Sequence, residues 1–580
     1  MKLFSIKNLL VACGSLFAAF FSSCEDMLDV DSDLYVYADD EHLNDATDTL
    51  YSVTGIMHKL QMLADRTILL GELRGDLVEV TEYADSDLRD IASFSVGDDN
   101  RYNNPRDYYA VINNCNYFIA HADTALKNNR GDRIFEKEFA AVKAYRAWTY
   151  LQLALVYGRV PFVTEPLVEM GVDEASFPVY DLNQICDYFI ADLAPHAGID
   201  MPDYGLFGTV DSRLVYFPIH ILLGEFNLWR GNYREAALCY YRYISTRNGE
   251  GTSWPFFPYD VYWAQNDNRF ERAYDAWTTD CFLADKYSIT GELVTMIPTD
   301  SIPSSNGYSD LSELWNSTVS NNGFYSLVPS SVLKSLSGAQ VYCNQNTNKE
   351  VSYVPSNLPD NLGGDLRLAA SWQTSTRQIS GLPSGVDRPV TQVMKKYTSG
   401  TTQVNIWRQA MAYLHMAEAV NRAGFPEFAY RILATGVNNH VVDSLQRAYP
   451  ADSVWLAHFN FPNTEYILRS ESSSSYNTIG IHSRGSGYTE VNEFYPMPSG
   501  TLEEQIEAVE DLIVNESALE MAFEGQRFYD LMRVSLRRGD PSYLALRVNA
   551  RGGAGSPSGV SANLSDPQTW YLGWRGKVGY

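Results

Sequence analysis

The sequence is poor in the residues that build metal centres and disulfide frameworks. Its 580 residues include nine scattered histidines without an H-E-x-x-H motif and seven cysteines without a C-x-x-C pair. These patterns do not indicate a zinc hydrolase, and we expect neither a metal nor a cofactor. Besides Cys13 and Cys24, the cysteines are Cys115, Cys186, Cys239, Cys281 and Cys343. Because so long a chain buries a large core without cross-links, we interpret these five as buried thiols, although one bridge would be compatible with them.

Basic residues are also scarce. Lys and Arg number 44 against 71 Asp and Glu, which gives a formal net charge of −27 at pH 7. No Lys/Arg cluster offsets this excess, so the chain repels phosphate backbones and we expect no binding to nucleic acid. The acidity also argues against polyanionic ligands, although one local basic pocket would override it.

Long hydrophobic runs are missing except at the start of the chain. Leu9 to Phe21 form an apolar run of 13 residues that follows Lys2 and Lys7. Because a stable membrane-spanning helix needs ~20 residues, this run predicts a removable export signal over residues 1–23.

The residues around Cys24 predict a lipid anchor. Ser22 and Ser23 directly precede Cys24, an arrangement that resembles the lipobox of bacterial lipoproteins. Cys13 also fits a lipobox, but its use would leave LFAAFF in the mature chain. We therefore predict lipidation at Cys24, with ordinary secretion of an unmodified Cys24 as the alternative. Two or more acyl chains would anchor the protein stably, since each buried methylene adds ~0.8 kcal/mol.

An acidic run, EDMLDVDSD, directly follows Cys24. It resembles the acidic export tag that sends some lipoproteins to the outer face of the Gram-negative outer membrane. A calcium loop is the alternative, but Leu34 occupies the position that needs glycine and Asp40 that of the bidentate Glu. Removal of the export signal takes away two lysines and no acid, so the mature formal charge is −29.

Three segments have the apolar periodicity of helices, and each is followed by a glycine: residues 141–155, 219–226 and 407–421. Gly224 and Ala236 stand twelve residues apart, as do Ala417 and Ala429, and these offsets resemble the small-residue contacts of tetratricopeptide helix pairs. About 190 residues separate the second segment from the third. We therefore predict an interrupted helical-repeat scaffold.

Residues 251–400 differ in composition from the rest of the chain. Pro, Gly, Ser, Asn and Thr dominate there, aromatic residues are frequent, and ELVTMI and QVMKKY are candidate strands. We expect a loop-rich insert, and loops on a rigid frame commonly provide binding surfaces. The predicted organisation is a signal peptide (1–23), an N-terminal helical scaffold (24–250), the insert (251–400) and a C-terminal helical part (401–580), which contains one amphipathic helix over 501–539.

Catalytic patterns are weak. Ser331 and Lys334 match S-x-x-K, but no K-T-G follows, and so short a match arises easily by chance. His415 and Glu418 lie on one helix face without a second histidine, and we interpret them as ordinary polar residues. No carboxylate pair stands out for glycoside hydrolysis. We therefore expect a protein that is not an enzyme, with a surface hydrolase as the less favoured alternative.

Three quoted segments resemble the SusD/RagB family of surface nutrient-binding lipoproteins. AYRAWTYLQLALVYGRVPFVTEP is similar to the family's helix, Tyr-Gly and Val-Pro passage. NESALEMAFEGQRFYDLMR (515–533) resembles its C-terminal E-x-x-x-E-G-x-R-[WF]-x-D-L-x-R element, and LLGELRGDLVE (69–79) resembles its N-terminal helix pair. The resemblance covers nearly the whole chain, but the ending, WRGKVGY, keeps only the Gly-Tyr of the family's usual Asn-Pro-Gly-Tyr.

The resemblance implies a mainly α fold, in which a tetratricopeptide-like, SusD-like helical scaffold has a loop-rich insert with few short strands. It also implies a lipid-anchored protein on the outer membrane, facing the cell exterior. Such a protein captures oligosaccharides, or in some members oligopeptides, for a SusC-like TonB-dependent transporter. Arg527, Asp530 and Arg533 are expected to form an ion-pair network that ties the last helix to the scaffold. No motif identifies the ligand.

Aromatic residues are the positive chemical signal, with 39 Tyr, 26 Phe and 11 Trp. Sugar rings stack on aromatic faces while amide, carboxylate and guanidinium groups bind their hydroxyls. Two loop-rich stretches combine these groups and provide the candidate ligand-binding residues: Tyr83, Asp85, Arg89, Arg101 and Tyr102 in the first, and Trp277, Tyr308 and Trp315 in the insert. Each of these aromatic residues could instead belong to the core, as we expect for Trp148 and Trp407.

Overall fold

A computed structural model describes most of the chain after residue 45. The described residues are 46–168, 176–207, 210–246, 262–266, 269–273, 292–299, 309–345, 349, 351–354, 364–375, 391–398, 403–460, 480–487, 492–552 and 556–573. Cys24, Trp277 and Tyr308 lie outside these ranges, as do the predicted export signal and the acidic run. Among the described helices, none is both long enough and apolar enough to cross a membrane.

The described chain is mainly helical, which confirms the predicted fold class. The helices are α1 (Ala46–Glu72), α2 (Ser86–Ser93), α3 (Pro105–His121), α4 (Glu136–Tyr157), α5 (Leu182–Leu193), α6 (Ile219–Arg230), α7 (Tyr233–Thr246), α8 (Leu311–Trp315), α9 (Ser331–Ala339), α10 (Arg367–Ser371), α11 (Gln409–Arg422), α12 (Pro426–Ala434), α13 (Asn439–Ala448), α14 (Ser453–Leu456), α15 (Ser483–Ser486), α16 (Leu502–Glu520), α17 (Arg527–Arg538) and α18 (Ser542–Asn549).

The strands are short and pair two by two in antiparallel ladders. They are β1 (Val78–Val80), β2 (Arg159–Pro161), β3 (Val179–Asp181), β4 (Leu206–Phe207), β5 (Val210–Asp211), β6 (Tyr262–Asn266), β7 (Arg269–Ala273), β8 (Leu293–Pro298), β9 (Leu327–Pro329), β10 (Tyr342–Gln345), β11 (Val351–Val354), β12 (Trp372–Ser375), β13 (Thr391–Met394) and β14 (Gln403–Arg408). Most pairs join neighbours in sequence, but β1 pairs with β9 and β8 pairs with β14. The two candidate strands of the insert are present as β8 and β13, while the predicted boundaries at 250 and 400 stay predictions.

The predicted repeats stack although they are far apart in sequence. On α6, a Cβ at Gly224 would lie 2.7 Å from the ring of Tyr240 on α7, so glycine allows this close packing. Ala417 and Ala429 are buried on the next packed pair, α11 and α12. Because α7 packs directly against α11, the second and third repeats are neighbours. This confirms the interrupted helical-repeat scaffold.

Trp148 and Trp407 belong to the core, as expected. Trp148 on α4 is fully buried, and its ring is stacked on Phe217 with the centroids 4.6 Å apart. Trp407 packs on the same ring at 5.1 Å, but it lies in strand β14, because helix α11 begins only at Gln409.

The prediction of one helix over residues 501–539 is wrong. The structure has two helices, α16 and α17, and the chain between them turns through Phe523 (φ 75°) and Gly525 (φ 81°). At this turn, a Cβ on Gly71 of α1 would lie 1.8 Å from Gly525 O, so two backbones are in direct contact. Gly525 N also donates to Glu72 Oε1 at 2.8 Å. Tertiary contact with α1 therefore overrides the local helix propensity.

Two of the segments that resemble the SusD/RagB family meet at this contact. Arg527 on α17 donates through Nε and Nη2 to the two oxygens of Asp76, at 2.6 and 2.9 Å. Arg533 Nη2 donates to Glu418 Oε2 on α11 at 2.7 Å and to Asp530 Oδ1 at 2.8 Å. All five side chains are buried. The predicted ion-pair network is confirmed, and Glu418 is one of its members rather than an ordinary polar residue.

A second buried ion cluster joins the insert to α16. Arg408 binds Glu520 Oε1 and Glu524 Oε2, both at 2.7 Å, and Arg367 and Arg484 approach Glu520 to 3.0 and 2.9 Å. Burial disfavours the Glu520 carboxylate, but the three guanidinium groups outweigh it and hold the pKa of Glu520 at about 2. Loss of any one partner would leave an uncompensated charge in a dry environment.

Four of the five cysteines interpreted as buried thiols lie in the described chain. Cys115, Cys186, Cys239 and Cys343 are all free and buried, which confirms the interpretation for these four. Burial raises the pKa of Cys115 and of Cys239 to about 12, so both thiols stay protonated and unreactive at neutral pH. Cys281 lies outside the described residues.

Candidate functional site

An open cleft lies where three distant segments of the chain meet. Residues 79–83 form the first wall at the end of β1, residues 323–325 form the second before β9, and residues 556–557 form the third after α18. The cleft has a volume of about 540 Å³, within the size range of small-molecule sites.

Two aromatic rings stand at the surface of this cleft. Tyr83 is 46% exposed, and its ring centroid lies 4.2 Å from that of Phe324, with the two planes inclined at 47°. Because the rings stand at the surface, a ligand can cover their apolar faces and remove them from water.

The Phe324 wall is built on a tightly fixed turn. Asn321 Oδ1 accepts from the backbone N–H groups of Thr318 and Gly323, each at 3.0 Å. Asn322 and Gly323 have positive φ angles of 54° and 79°, which asparagine and glycine tolerate best. The turn therefore holds Phe324 in place without help from a ligand.

Thr81 fastens the first wall to the second. Its backbone N–H donates to Ser326 O at 2.8 Å and its hydroxyl donates to Tyr325 O at 2.7 Å. The same Oγ1 accepts from Tyr83 N at 3.2 Å. These bonds continue the β1–β9 ladder past its end, and they set the position of Tyr83 against Phe324.

Arg551 braces the third wall from inside. Its guanidinium is buried and donates to backbone carbonyls from three segments, including Gly75 O at 2.6 Å, Ala92 O at 2.5 Å and Ser558 O at 3.3 Å. Ser558 Oγ in turn accepts from Val80 N at 2.8 Å. Burial lowers the pKa of Arg551 to about 10, which leaves it charged at neutral pH.

Two glutamates provide the charged groups of the cleft. Glu79 is half-buried, and its Oε1 accepts from Ser331 N at 3.1 Å. Glu82 is exposed at the rim, where its backbone oxygen accepts from Arg89 Nη2 at 2.5 Å. The cleft therefore combines aromatic faces with carboxylate, hydroxyl and backbone groups that can bind a polar ligand.

Comparison with known proteins identifies the architecture. No protein-family model matches the chain, and no curated protein is significantly similar to it in sequence. A SusD superfamily protein from Bacteroides thetaiotaomicron aligns with a TM-score of 0.52 and 18% identity, over 87% of this chain and 94% of the other. A SusD-like protein from Bacteroides fragilis aligns with a TM-score of 0.55 and 15% identity, over 86% and 88%. The chain has the SusD fold.

A third structure with the SusD fold, provisionally named as a sugar binding protein from Bacteroides vulgatus, gives a TM-score of 0.52. It is 17% identical and the alignment covers 84% of this chain and 86% of the other. At such identities the likeness shows the fold alone, so the ligand has to be argued from the cleft.

Within the SusD fold, the predicted residues of the first stretch divide into two groups. Tyr83 lines the cleft, and Arg89 supports the rim beside it. Asp85, Arg101 and Tyr102 form a separate surface cluster, in which Arg101 Nη2 donates to Asp85 Oδ2 and to Tyr102 OH, both at 2.8 Å. Their polar groups bind one another.

Local structure explains this second group. Asp85 Oδ1 accepts from Leu88 N at 3.0 Å and so caps helix α2. The guanidinium of Arg101 lies over the Tyr102 ring, 4.8 Å from its centroid, and burial raises the pKa of Tyr102 to about 12. The three residues therefore stabilise the start of α2 and the loop before α3.

The structure corrects the expectation that Trp315 contacts a ligand. Its side chain is only 1% exposed and its ring packs on Phe523 in a T-shaped contact, with the centroids 4.8 Å apart. Trp315 thus anchors the insert to the turn between α16 and α17. Its place in a loop-rich segment predicts a surface residue, but the contact with Phe523 buries it.

Sequence reasoning missed Phe324, Thr81 and the 556–557 wall. For Phe324 a signal exists in the segment NNGFY (321–325), where turn-forming residues directly precede two aromatic residues. Thr81 and residues 556–557 carry no such signal, because their role depends on contacts with distant segments.

A larger opening of about 750 Å³ lies between the start of α5 and the ends of α6 and α17. Three of its four arginines already pair with carboxylates: Arg230 with Asp187, and both Arg533 and Arg537 with Glu418. The guanidinium of Arg533 also covers Trp229 at 5.1 Å. Most guanidinium groups of this opening are therefore bound by carboxylates of the protein itself.

The weak catalytic patterns have structural roles. His415 is buried, with Nδ1 2.6 Å from Glu225 Oε1, and is therefore more than an ordinary polar residue. Ser331 is the first residue of α9, and the Lys334 ammonium lies 5.0 Å from the centroid of the Trp372 ring. Among the described residues, no group of three or more His, Cys, Asp or Glu could hold a metal ion.

Proposed function

We propose that this protein is a nutrient-binding protein that captures oligosaccharides at the Tyr83–Phe324 cleft without chemical conversion. The observation that supports the proposal is the pair of aromatic rings, exposed Tyr83 and half-buried Phe324, beside carboxylate and hydroxyl groups. Sugar rings present apolar C–H faces and polar edges, and this cleft offers a partner to each. The SusD fold, shared with a structure provisionally named as a sugar binding protein, supports the same class of ligand.

We further propose that the protein is lipid-anchored through Cys24 on the outer membrane, faces the cell exterior, and delivers its ligand to a SusC-like TonB-dependent transporter. The export signal, the lipobox-like residues and the acidic run support the location, and the sequence resemblance supports the partner. A neighbouring gene for a large β-barrel with a plug domain would agree with this partnership. Its absence would count against the transporter.

Oligopeptides are the second candidate ligand. Glu79 and Glu82 favour this alternative, since carboxylates beside aromatic rings also suit a peptide that contains lysine or arginine. Isothermal titration against a panel of oligosaccharides and a panel of oligopeptides separates the two. Turnover of a bound polymer, lost on Glu82→Gln, would instead indicate a hydrolase.

The deciding experiment replaces the exposed ring of the cleft. Loss of one stacking partner removes roughly 1.5 kcal/mol, so Tyr83→Ala should weaken oligosaccharide binding about tenfold. Tyr353→Ala is a matched control, because Tyr353 is 41% exposed and lies outside the cleft. If both variants bind as the wild type does, the ligand does not bind at this cleft.

A further inference from the structure

The cleft has a charge of one sign. Among the described residues that line it, Glu79 and Glu82 are the only charged ones, and both are acidic. In the sequence, residues 553–555 directly before the third wall are Gly-Ala-Gly and carry no charged side chain. The local charge therefore has the same sign as the net charge of the whole chain.

Cations of the surrounding segments bind groups of the protein itself, although Arg89 does so at the cleft rim and the charge of Lys334 also acts on Glu79. The Arg89 guanidinium donates to a backbone carbonyl, Glu82 O, and Arg101 binds Asp85 and Tyr102. Lys334 lies over the Trp372 ring. None of these three cations lines the cleft, so no guanidinium fork is presented to a carboxylate or sulfate of a ligand.

The two glutamates differ in what they can do. Glu79 Oε1 accepts from Ser331 N, so part of its hydrogen-bonding capacity is already used. Glu82 is exposed at the rim and, within the described chain, its carboxylate has no ion-pair partner. Glu82 is therefore the better placed to accept from a hydroxyl or an ammonium group.

We propose that this cleft selects neutral and amine-bearing oligosaccharides and rejects those with carboxylate or sulfate groups. This inference rests on the proposed function and adds a ligand class to it. An anionic sugar held on the Tyr83 and Phe324 rings would bring its charge close to two carboxylates and lose part of its hydration shell, and no cation among the described lining residues would replace it.

The test compares oligosaccharides that differ only in charge. One pair is an oligogalacturonate and its methyl ester, and the other is a chitin oligomer and its deacetylated form. For the wild type, titration at low salt should show the methyl ester binding at least tenfold more tightly than the free acid. The difference should shrink at 0.5 M NaCl, because salt screens exposed charges.

The double variant Glu79→Gln/Glu82→Gln shows whether these carboxylates are the cause. Gln keeps an acceptor for Ser331 N, so the wall should remain in place. The variant should strengthen binding of the acid several-fold, weaken binding of the amine, and change binding of the ester less than twofold. Glu503→Gln/Glu507→Gln, at two exposed glutamates on α16, is the matched control for net charge.

The outcomes separate the two levels of the proposal. Suppose that neutral oligomers bind, that the acid form binds as tightly, and that the double variant does not change this. The charge selection would then be wrong, while the proposed function would stand. If no oligosaccharide of the panel binds, the proposed function fails and the charge selection fails with it.

Discussion

Two glycines allow a close backbone contact between an early and a late segment of the described chain. Gly71 on α1 faces Gly525, and a Cβ on Gly71 would lie 1.8 Å from Gly525 O. No rotamer change relieves a clash with a backbone atom, so one of the two segments would have to move. Because glycine has no Cβ, residues 71 and 525 allow α1 to pack against the turn between α16 and α17.

Gly71→Ala should therefore destabilise the protein by about 3 kcal/mol, at the upper end of the usual cost of overpacking. Thermal or denaturant unfolding measures the loss. The matched control is Gly55→Ala on the same helix, where nothing lies within 4 Å of the added Cβ. This change should stabilise the helix by about 0.5–1 kcal/mol. Equal effects of the two variants would contradict the close contact.

A buried histidine makes stability depend on pH. His415 lies 2.6 Å from Glu225 and 3.5 Å from Asp530. Burial disfavours the imidazolium, but the two carboxylates outweigh it and raise the pKa of His415 from 6.5 to about 9. Because the folded pKa lies above the unfolded one, the stabilisation is complete below pH 6.5 and is lost as pH rises to 9.

We expect the free energy of unfolding to fall by on the order of 3 kcal/mol between pH 6.5 and 9 from this residue. Urea unfolding at a series of pH values measures the change. In His415→Gln, the fall in the free energy of unfolding between pH 6.5 and 9 should be smaller than in the wild type by the contribution of His415. An unchanged slope in the variant would show that other groups cause the pH dependence.

At the scale of elements, paired segments position the cleft. β1 pairs with β9, and Thr81 extends that pairing by two hydrogen bonds, to Ser326 O and Tyr325 O. Its hydroxyl also accepts from Tyr83 N. The N-terminal scaffold and the insert thus meet in a ladder, and the aromatic pair stands directly beyond its end. The geometry of the cleft therefore depends on the junction of two elements.

Thr81→Val keeps the shape of the side chain and removes its two hydroxyl bonds. We expect oligosaccharide binding to weaken about fivefold, or ~1 kcal/mol, because Tyr83 loses its fixed position. Titration of one ligand with Thr81→Val and Tyr83→Ala in parallel measures this. Thr81→Ser, which keeps the hydroxyl, should bind nearly as the wild type, and a loss as large as that of Thr81→Val would contradict the role of the hydrogen bonds.

Elements with strong periodicity could be predicted from sequence, whereas contacts between distant segments could not. The stripe of α4 and the offset between Gly224 and Ala236 are local patterns, and the structure contains both as expected. The break after α16 was missed because glycine within a helical pattern is often tolerated, and only α1 makes the break necessary. Trp315 is predicted to contact a ligand but is buried, because the composition of a segment does not show whether an aromatic side chain faces the core or the solvent.

At the scale of the whole molecule, the proposed lipid anchor at Cys24 would determine where the cleft is used. If Cys24 carries the lipid, labelled palmitate should be incorporated into the wild type and into Cys13→Ala but not into Cys24→Ala. Metabolic labelling followed by immunoprecipitation measures this directly, whether or not the export signal is removed. If only Cys13→Ala loses the label, Cys13 is the lipidated residue. If neither the wild type nor either variant is labelled, ordinary secretion is favoured.

The contact between Gly71 and Gly525 also limits when the chain can fold. A chain that emerges N-terminus first, from a ribosome or through a membrane channel, contains Gly71 early but must wait for Gly525 until most of its length has followed. The Asp76–Arg527 pair imposes the same delay. Neighbouring early helices can pack as soon as they emerge, but the contacts of α1 with the late segments can form only when most of the chain has been made. The packing of α1 is therefore completed last, by residues near the other end of the chain.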